Sequence, residues 1–125
     1  MLNDDQERWA ADYPGRTRTY IATAPLYAVP PGHLKRVEVN GRLICLANVD
    51  GSIYALDDDC PHIGAALSQG TLDGATLTCP LHLAQFDART GKVTRGPARA
   101  DARLFETRLE GSLIMVRDPN DEADE

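Results

Sequence analysis

The sequence predicts an all-β protein, an antiparallel sandwich or barrel carrying a small inserted subdomain. Three observations predict it. Turn pairs that tolerate positive φ, Asn40-Gly41 and Asp50-Gly51, separate short apolar runs in the manner of type I′ hairpins. Lys35-Arg36-Val37-Glu38-Val39 alternates charged and apolar residues, as a half-buried strand does. No stretch is strongly amphipathic at helical spacing, and nothing repeats at a fixed period.

Residues 1–18 are expected to be an extension outside the core, with scattered charge, Trp9, Tyr13 and the Pro14-Gly15 breaker. The domain proper is expected over residues 19–117. Tyr20–Thr23 is its first strand, and Pro25 and Pro30-Pro31-Gly32 punctuate the connection to the second at Lys35–Val39. Leu43–Ala47 follows the Asn40-Gly41 turn, and Ile53–Leu56 follows Asp50-Gly51. Asp73-Gly74 leads into a strand at Ala75–Thr78, and Thr90-Gly91 supplies a further turn. The last hairpin is expected to pair Arg103–Leu109 with Ser112–Arg117 across Glu110-Gly111. Residues 118–125 hold five carboxylate side chains and no strand former, which reads as a mobile acidic tail.

Hydrophobic residues make up 42% and charged residues 26% of the 125-residue chain, ordinary values for one globular domain. The net charge of −6 argues against a nucleic-acid partner, which wants a basic face; it suits docking on basic partners and equally an acidic surface that serves only solubility. No apolar run approaches the length of about 20 residues that a membrane span needs. The acidic start, Met1 to Glu7, shows no export signal, so a cytoplasmic location is expected.

Chemistry concentrates in two stretches, Cys60-Pro61-His62-Ile63-Gly64 and Cys79-Pro80-Leu81-His82. The pattern is C-x-H, sixteen residues, then C-x-x-H. Two thiolates and two imidazoles at this spacing can close a four-ligand site on iron or zinc. Cys45 is left over, in a strand-like run, and reads as a small buried hydrophobe more naturally than as a redox sensor. His33 reads as a solvated loop histidine. Asp57-Asp58-Asp59 lacks the spaced ligands and central Gly of a calcium loop and is expected to be a solvated strand end.

The two ligand stretches, with Ala65-Ala66-Leu67-Ser68-Gln69-Gly70, Leu72-Asp73-Gly74, Phe86-Asp87, Thr90-Gly91 and Gly96-Pro97-Ala98, resemble the Rieske family, in which His replaces Cys on one iron of a [2Fe–2S] cluster. The resemblance implies a Rieske-like fold with a cluster-binding part over about residues 60–97. It also implies one [2Fe–2S] cluster, with Cys60 and Cys79 on one iron and His62 and His82 on the other. Two thiolates leave the oxidised cluster near neutral, so reduction accumulates less negative charge than with four, which raises the potential above plant-type ferredoxins. With every iron position filled, such a site transfers electrons and binds no substrate.

High-potential members carry Ser two residues after the second His and Tyr two residues beyond that. Here Ala84 and Phe86 stand there, and neither donates a hydrogen bond toward sulfur. Respiratory-complex members carry a disulfide pair where this chain has Ala65 and Leu81. Both departures imply a potential near the low end of the Rieske range, roughly −150 mV. Leu83 follows the second His where many members have Gly. Gly96-Pro97-Ala98 is expected either to cover the cluster as a third loop, with Pro97 fixing its shape, or to be an ordinary turn. Most closely the chain resembles the Rieske ferredoxins of bacterial ring-hydroxylating oxygenases. That implies an electron-transfer protein, not itself an enzyme, passing electrons from a flavin-containing reductase to a terminal oxygenase that docks near His62 and His82. A small Rieske-like subunit of a nitrite reductase and a structural zinc module are the alternatives.

Overall fold

The computed structural model describes residues 19–60, 65–80, 83–96 and 100–120. The extension expected over residues 1–18, the ligand candidates His62 and His82, Pro97 with Ala98, and the last five residues of the acidic tail lie outside the described residues.

Strands β1 (Tyr20–Pro25), β2 (Leu34–Val39), β3 (Arg42–Val49) and β4 (Ser52–Asp57) come first, and β2, β3 and β4 form a meander. The turn pairs explain the meander. Asn40 and Gly41 sit at φ 51° and 85°, and Asp50 and Gly51 at 54° and 99°, so both central residues of each turn are left-handed, as type I′ requires. After the first ligand stretch come β5 (Thr71–Asp73), β6 (Thr76–Thr78), β7 (Gln85–Asp87) and β8 (Val93–Arg95), an antiparallel four-stranded sheet in chain order. The chain closes with β9 (Leu104–Phe105), β10 (Thr107–Glu110) and β11 (Leu113–Arg117).

The described residues thus form three antiparallel sheets, ordered β1-β11-β10, β2-β3-β4-β9 and β5-β6-β7-β8, and the expected all-β class is what the chain adopts. The expected single strand Arg103–Leu109 is corrected. Leu104 and Phe105 pair with Leu56 and Ala55 in one sheet, whereas Thr107–Glu110 pairs with β11 in another. The chain changes sheets at Glu106. The final turn also shifts by one residue: Glu110 still pairs with Leu113, leaving Gly111 (φ 63°) and Ser112 as the loop. Glycine at the first central position fits a type II′ turn.

Strand β3 divides the interior. Ile44 and Leu46 point into one buried cluster with Val39, Ala55, Phe105, Ile114 and Val116. Cys45, Ala47 and Val49 point the other way, into a cluster with Leu56, Leu67, Leu77 and Phe86. A strand covered on both faces reads as a continuous apolar run rather than an alternation, which is why Leu43 through Ala47 is unbroken; Asn48 beyond it is buried too, its amide donating to the Val29 carbonyl at 2.7 Å. The second cluster lies between this wall and the β5–β8 sheet, and both candidate cysteine ligands belong to it.

Candidate metal centre

Two loops of matching construction carry the candidate ligands. In the first, the Leu67 N–H donates to the Asp58 carbonyl at 2.7 Å, Asp59 and Ala66 form an antiparallel bridge, and the Cys60 N–H donates to the Ala65 carbonyl at 2.7 Å. In the second, Thr78 pairs with Gln85 and the Cys79 N–H donates to the Ala84 carbonyl at 2.8 Å. Each cysteine is therefore followed by four positions that begin with Pro, and the alanine after them accepts its N–H. His62 stands in the first loop and His82 in the second; both are outside the described residues.

Cys60 and Cys79 are buried in one cluster beside Leu67, Leu77, Ala84 and Phe86. None of the three cysteines is in a disulfide. Two buried thiols at the bases of twin loops, each loop also supplying an imidazole in sequence, suit a cofactor held by soft and borderline donors. The donor set fits a [2Fe–2S] cluster. The spacing between the loops is set by Gly70, where a Cβ would overlap the carbonyl oxygen of Thr78. Only glycine lets the exit of the first loop come so close to the residue preceding Cys79.

Asp58 corrects the expectation of a solvated strand end. Its side chain is 1% exposed and is fully engaged. The carboxylate accepts from the Ser68 N–H at 2.7 Å, the Ser68 hydroxyl at 3.1 Å and Arg36 Nε at 2.8 Å. Its own N–H donates to the Leu43 carbonyl. A buried carboxylate is tolerable when paired and hydrogen-bonded in this way, and here it joins β2, β3 and both ends of the first ligand loop. Nothing in the local sequence marks Asp58 apart from Asp57 and Asp59; the partner that distinguishes it, Arg36, is remote in sequence. Asp59 is exposed, and Asp57 is bonded to Arg42 at 2.6 Å.

Cys45 is buried, with its thiol pKa pushed up by burial and by the Asp58 charge, against a smaller opposing effect of Arg36. A thiol held protonated in the core behaves as a packing group. His33 is exposed on its loop. Ala84 and Phe86 are both fully buried and packed in the core. Leu83 is left-handed at φ 60°, which gives the physical reason a glycine suits that position.

On the far side, Asp87 ends β7 and organises the turn to β8. Its carbonyl accepts from the Thr90 and Gly91 N–H groups. Its carboxylate accepts from Arg89 Nε and a terminal guanidinium nitrogen, each at 3.0 Å. Those bonds, with one from the Arg89 N–H, hold the Asp87 carboxyl below the usual carboxylate range. The segment after residues 97–99 returns to this hairpin: the Val93 N–H donates to Asp101, and the Ala102 N–H to the Gly91 carbonyl.

Comparison with known proteins converges on one family. The Rieske [2Fe–2S] domain matches residues 19–108. The ferredoxin component of the naphthalene 1,2-dioxygenase/salicylate 5-hydroxylase systems of Ralstonia sp. is 38% identical over 101 residues, covering 81% of this chain and 97% of that protein. The solved ferredoxin of carbazole 1,9a-dioxygenase from Nocardioides aromaticivorans IC177 superposes with a TM-score of 0.77 at 29% identity, over 80% of this chain and 98% of its own. A chain from a solved complex of reduced oxygenase and oxidized ferredoxin in carbazole 1,9a-dioxygenase matches with a TM-score of 0.75 at 29% identity, over 78% of this chain and 92% of its own. Twin cysteine loops joined to an antiparallel β-scaffold, and these likenesses along most of the chain, lead to one conclusion: the chain belongs to the Rieske [2Fe–2S] family, with one such cluster as its cofactor.

Proposed function

We propose that this chain is the one-electron carrier of an oxygenase system, reduced by a flavin-containing reductase and oxidised by a terminal oxygenase. The observation that carries the reading is the extent of the match: 97% of the length of a curated ferredoxin component falls on this chain.

In this reading Cys60, His62, Cys79 and His82 hold the cluster, with Cys60 and Cys79 on one iron and the two imidazoles on the other. The bound cluster supplies a one-electron couple. The protein's own residues hold the two cysteines by ladder bonds to Ala65 and Ala84 and exclude water with Leu67, Leu77 and Phe86. The residue division follows the same reading: a cluster-binding part over about 60–97 within a domain of 19–117, with residues 1–18 and 118–125 as extensions. Among the described residues no helix is long and apolar enough to cross a membrane. The reading includes a cytoplasmic location.

The test is a single-turnover transfer. The chain, reduced with dithionite and freed of excess reductant, is mixed anaerobically with the oxidised oxygenase component of the naphthalene, biphenyl or 3-phenylpropionate dioxygenase system. Recovery of the carrier's visible absorption, matched by reduction of the oxygenase one electron per carrier, is expected with at least one of them. Transfer to none of the three overturns the reading.

A further inference from the structure

Leu83 combines two unfavourable features. Its backbone sits at φ 60°, a conformation that costs a side-chain-bearing residue energy and that glycine adopts freely. Its side chain is 59% exposed, so core packing does not compensate for that conformation. The molecule contains its own control. The two ligand loops are closed by equivalent bonds, Cys60 to Ala65 and Cys79 to Ala84, and the place directly before the closing alanine is Gly64 in the first and Leu83 in the second.

A strained, exposed, branched aliphatic residue kept where the sister loop has glycine points to a contact outside the chain. The location says which contact. Leu83 directly follows His82, so whatever covers Leu83 also covers the electron-transfer loop. We propose that Leu83 is the apolar anchor by which this carrier docks on its terminal oxygenase. The inference rests on the carrier reading and names the residue that gives the docking its grip. A relative of this fold does pair with an oxygenase in the solved carbazole 1,9a-dioxygenase complex, and the oxygenase is accordingly the occupant assigned here. The charge of −6 steers encounter with a basic partner, whereas a desolvated aliphatic side chain at the centre of the contact slows dissociation.

Three variants of the cluster-loaded protein test it. Leu83→Gly and Leu83→Asn keep a backbone that tolerates the left-handed region and remove the apolar side chain; Leu83→Met retains apolar bulk. The dissociation constant is measured by calorimetric titration against the oxygenase that accepts electrons from the wild-type chain, alongside the visible spectrum and the thermal midpoint. Leu83→Gly and Leu83→Asn should bind about tenfold or more weakly, the loss given by exposing one buried leucine. Their spectra should match the wild type, their thermal midpoints should be no lower, and Leu83→Met should stay within about threefold of the wild-type constant. Unchanged binding by the Gly and Asn variants overturns the proposal, and so does weakened binding that travels with an altered spectrum or a lowered midpoint, because Leu83 would then be shaping its own loop. If the wild-type chain binds none of the oxygenases, the carrier reading itself fails; if it binds and the variants bind equally, only the role of Leu83 does.

Discussion

Arg36 Nε donates to Asp58 Oδ2 at 2.8 Å, tying the middle of β2 to the residue two places before Cys60. Asp58 is buried and Arg36 nearly half exposed, so solvent can compensate the arginine but not the carboxylate. Asp58→Asn replaces an acceptor with an amide facing the Ser68 N–H and should lower unfolding stability by about 2–4 kcal/mol. Arg36→Gln leaves the buried carboxylate without its counter-charge and should cost a comparable amount, about 2–3 kcal/mol. Urea unfolding of both variants checks this. A negligible loss for Arg36→Gln would mean that Asp58 is held by something other than the contacts described.

The two proposed imidazole ligands are tested directly by substitution. His62→Ala or His82→Ala should abolish the wild-type visible spectrum, because each removes one of four protein ligands in the proposed set. Absorption spectra of anaerobically purified variants provide the check, and a retained wild-type spectrum in either would remove that residue from the set.

Ala84 is fully buried, and its carbonyl accepts the Cys79 N–H at 2.8 Å. A hydroxyl here can stabilise the more negative reduced state. Ala84→Ser should therefore raise the midpoint potential by roughly 50 mV, the one-electron equivalent of a net hydrogen bond of about 1 kcal/mol. The wild-type midpoint should itself lie near the low end of the Rieske range, roughly −150 mV. A redox titration giving a clearly positive wild-type value would contradict the argument from Ala84 and Phe86.

The Asp87 carboxyl is held below the usual range chiefly by its hydrogen bonds from Arg89. Because the folded pKa is the lower one, its contribution is fully present above the unfolded value, about 3.9. It is lost as the pH falls through the depressed native value. Asp87→Asn should thus be less stable than the wild type near neutral pH, with the gap closing below about pH 3.9. Arg89 is exposed, so screening keeps the gap small. Parallel denaturant curves over this range test the sign; a gap that widens in acid would contradict it.

What could be read from the sequence and what could not divide along physical lines. Asn40-Gly41 and Asp50-Gly51 announce their hairpins because each pair alone fixes a left-handed turn. Strands β7 and β8 carry no comparable signal: three residues each are too few for an alternation to show. The break at Glu106 was hidden because both pieces of Arg103–Leu109 are extended and differ only in the sheet they join. The twin cysteine loops are legible through the local pattern of Cys followed by Pro. The Asp58 anchorage was not, since Arg36 lies 22 residues away and burial of one aspartate among three is decided by tertiary packing. The left-handed backbone at Leu83 was equally invisible, as leucine gives no hint of it.

The central claim is that one [2Fe–2S] cluster, two irons bridged by two sulfides, is bound per chain. Iron, zinc and acid-labile sulfide content of the anaerobically purified protein tests it most directly. The account predicts two irons and two sulfides per chain and no stoichiometric zinc; zinc in place of iron, or iron without labile sulfide, would contradict it.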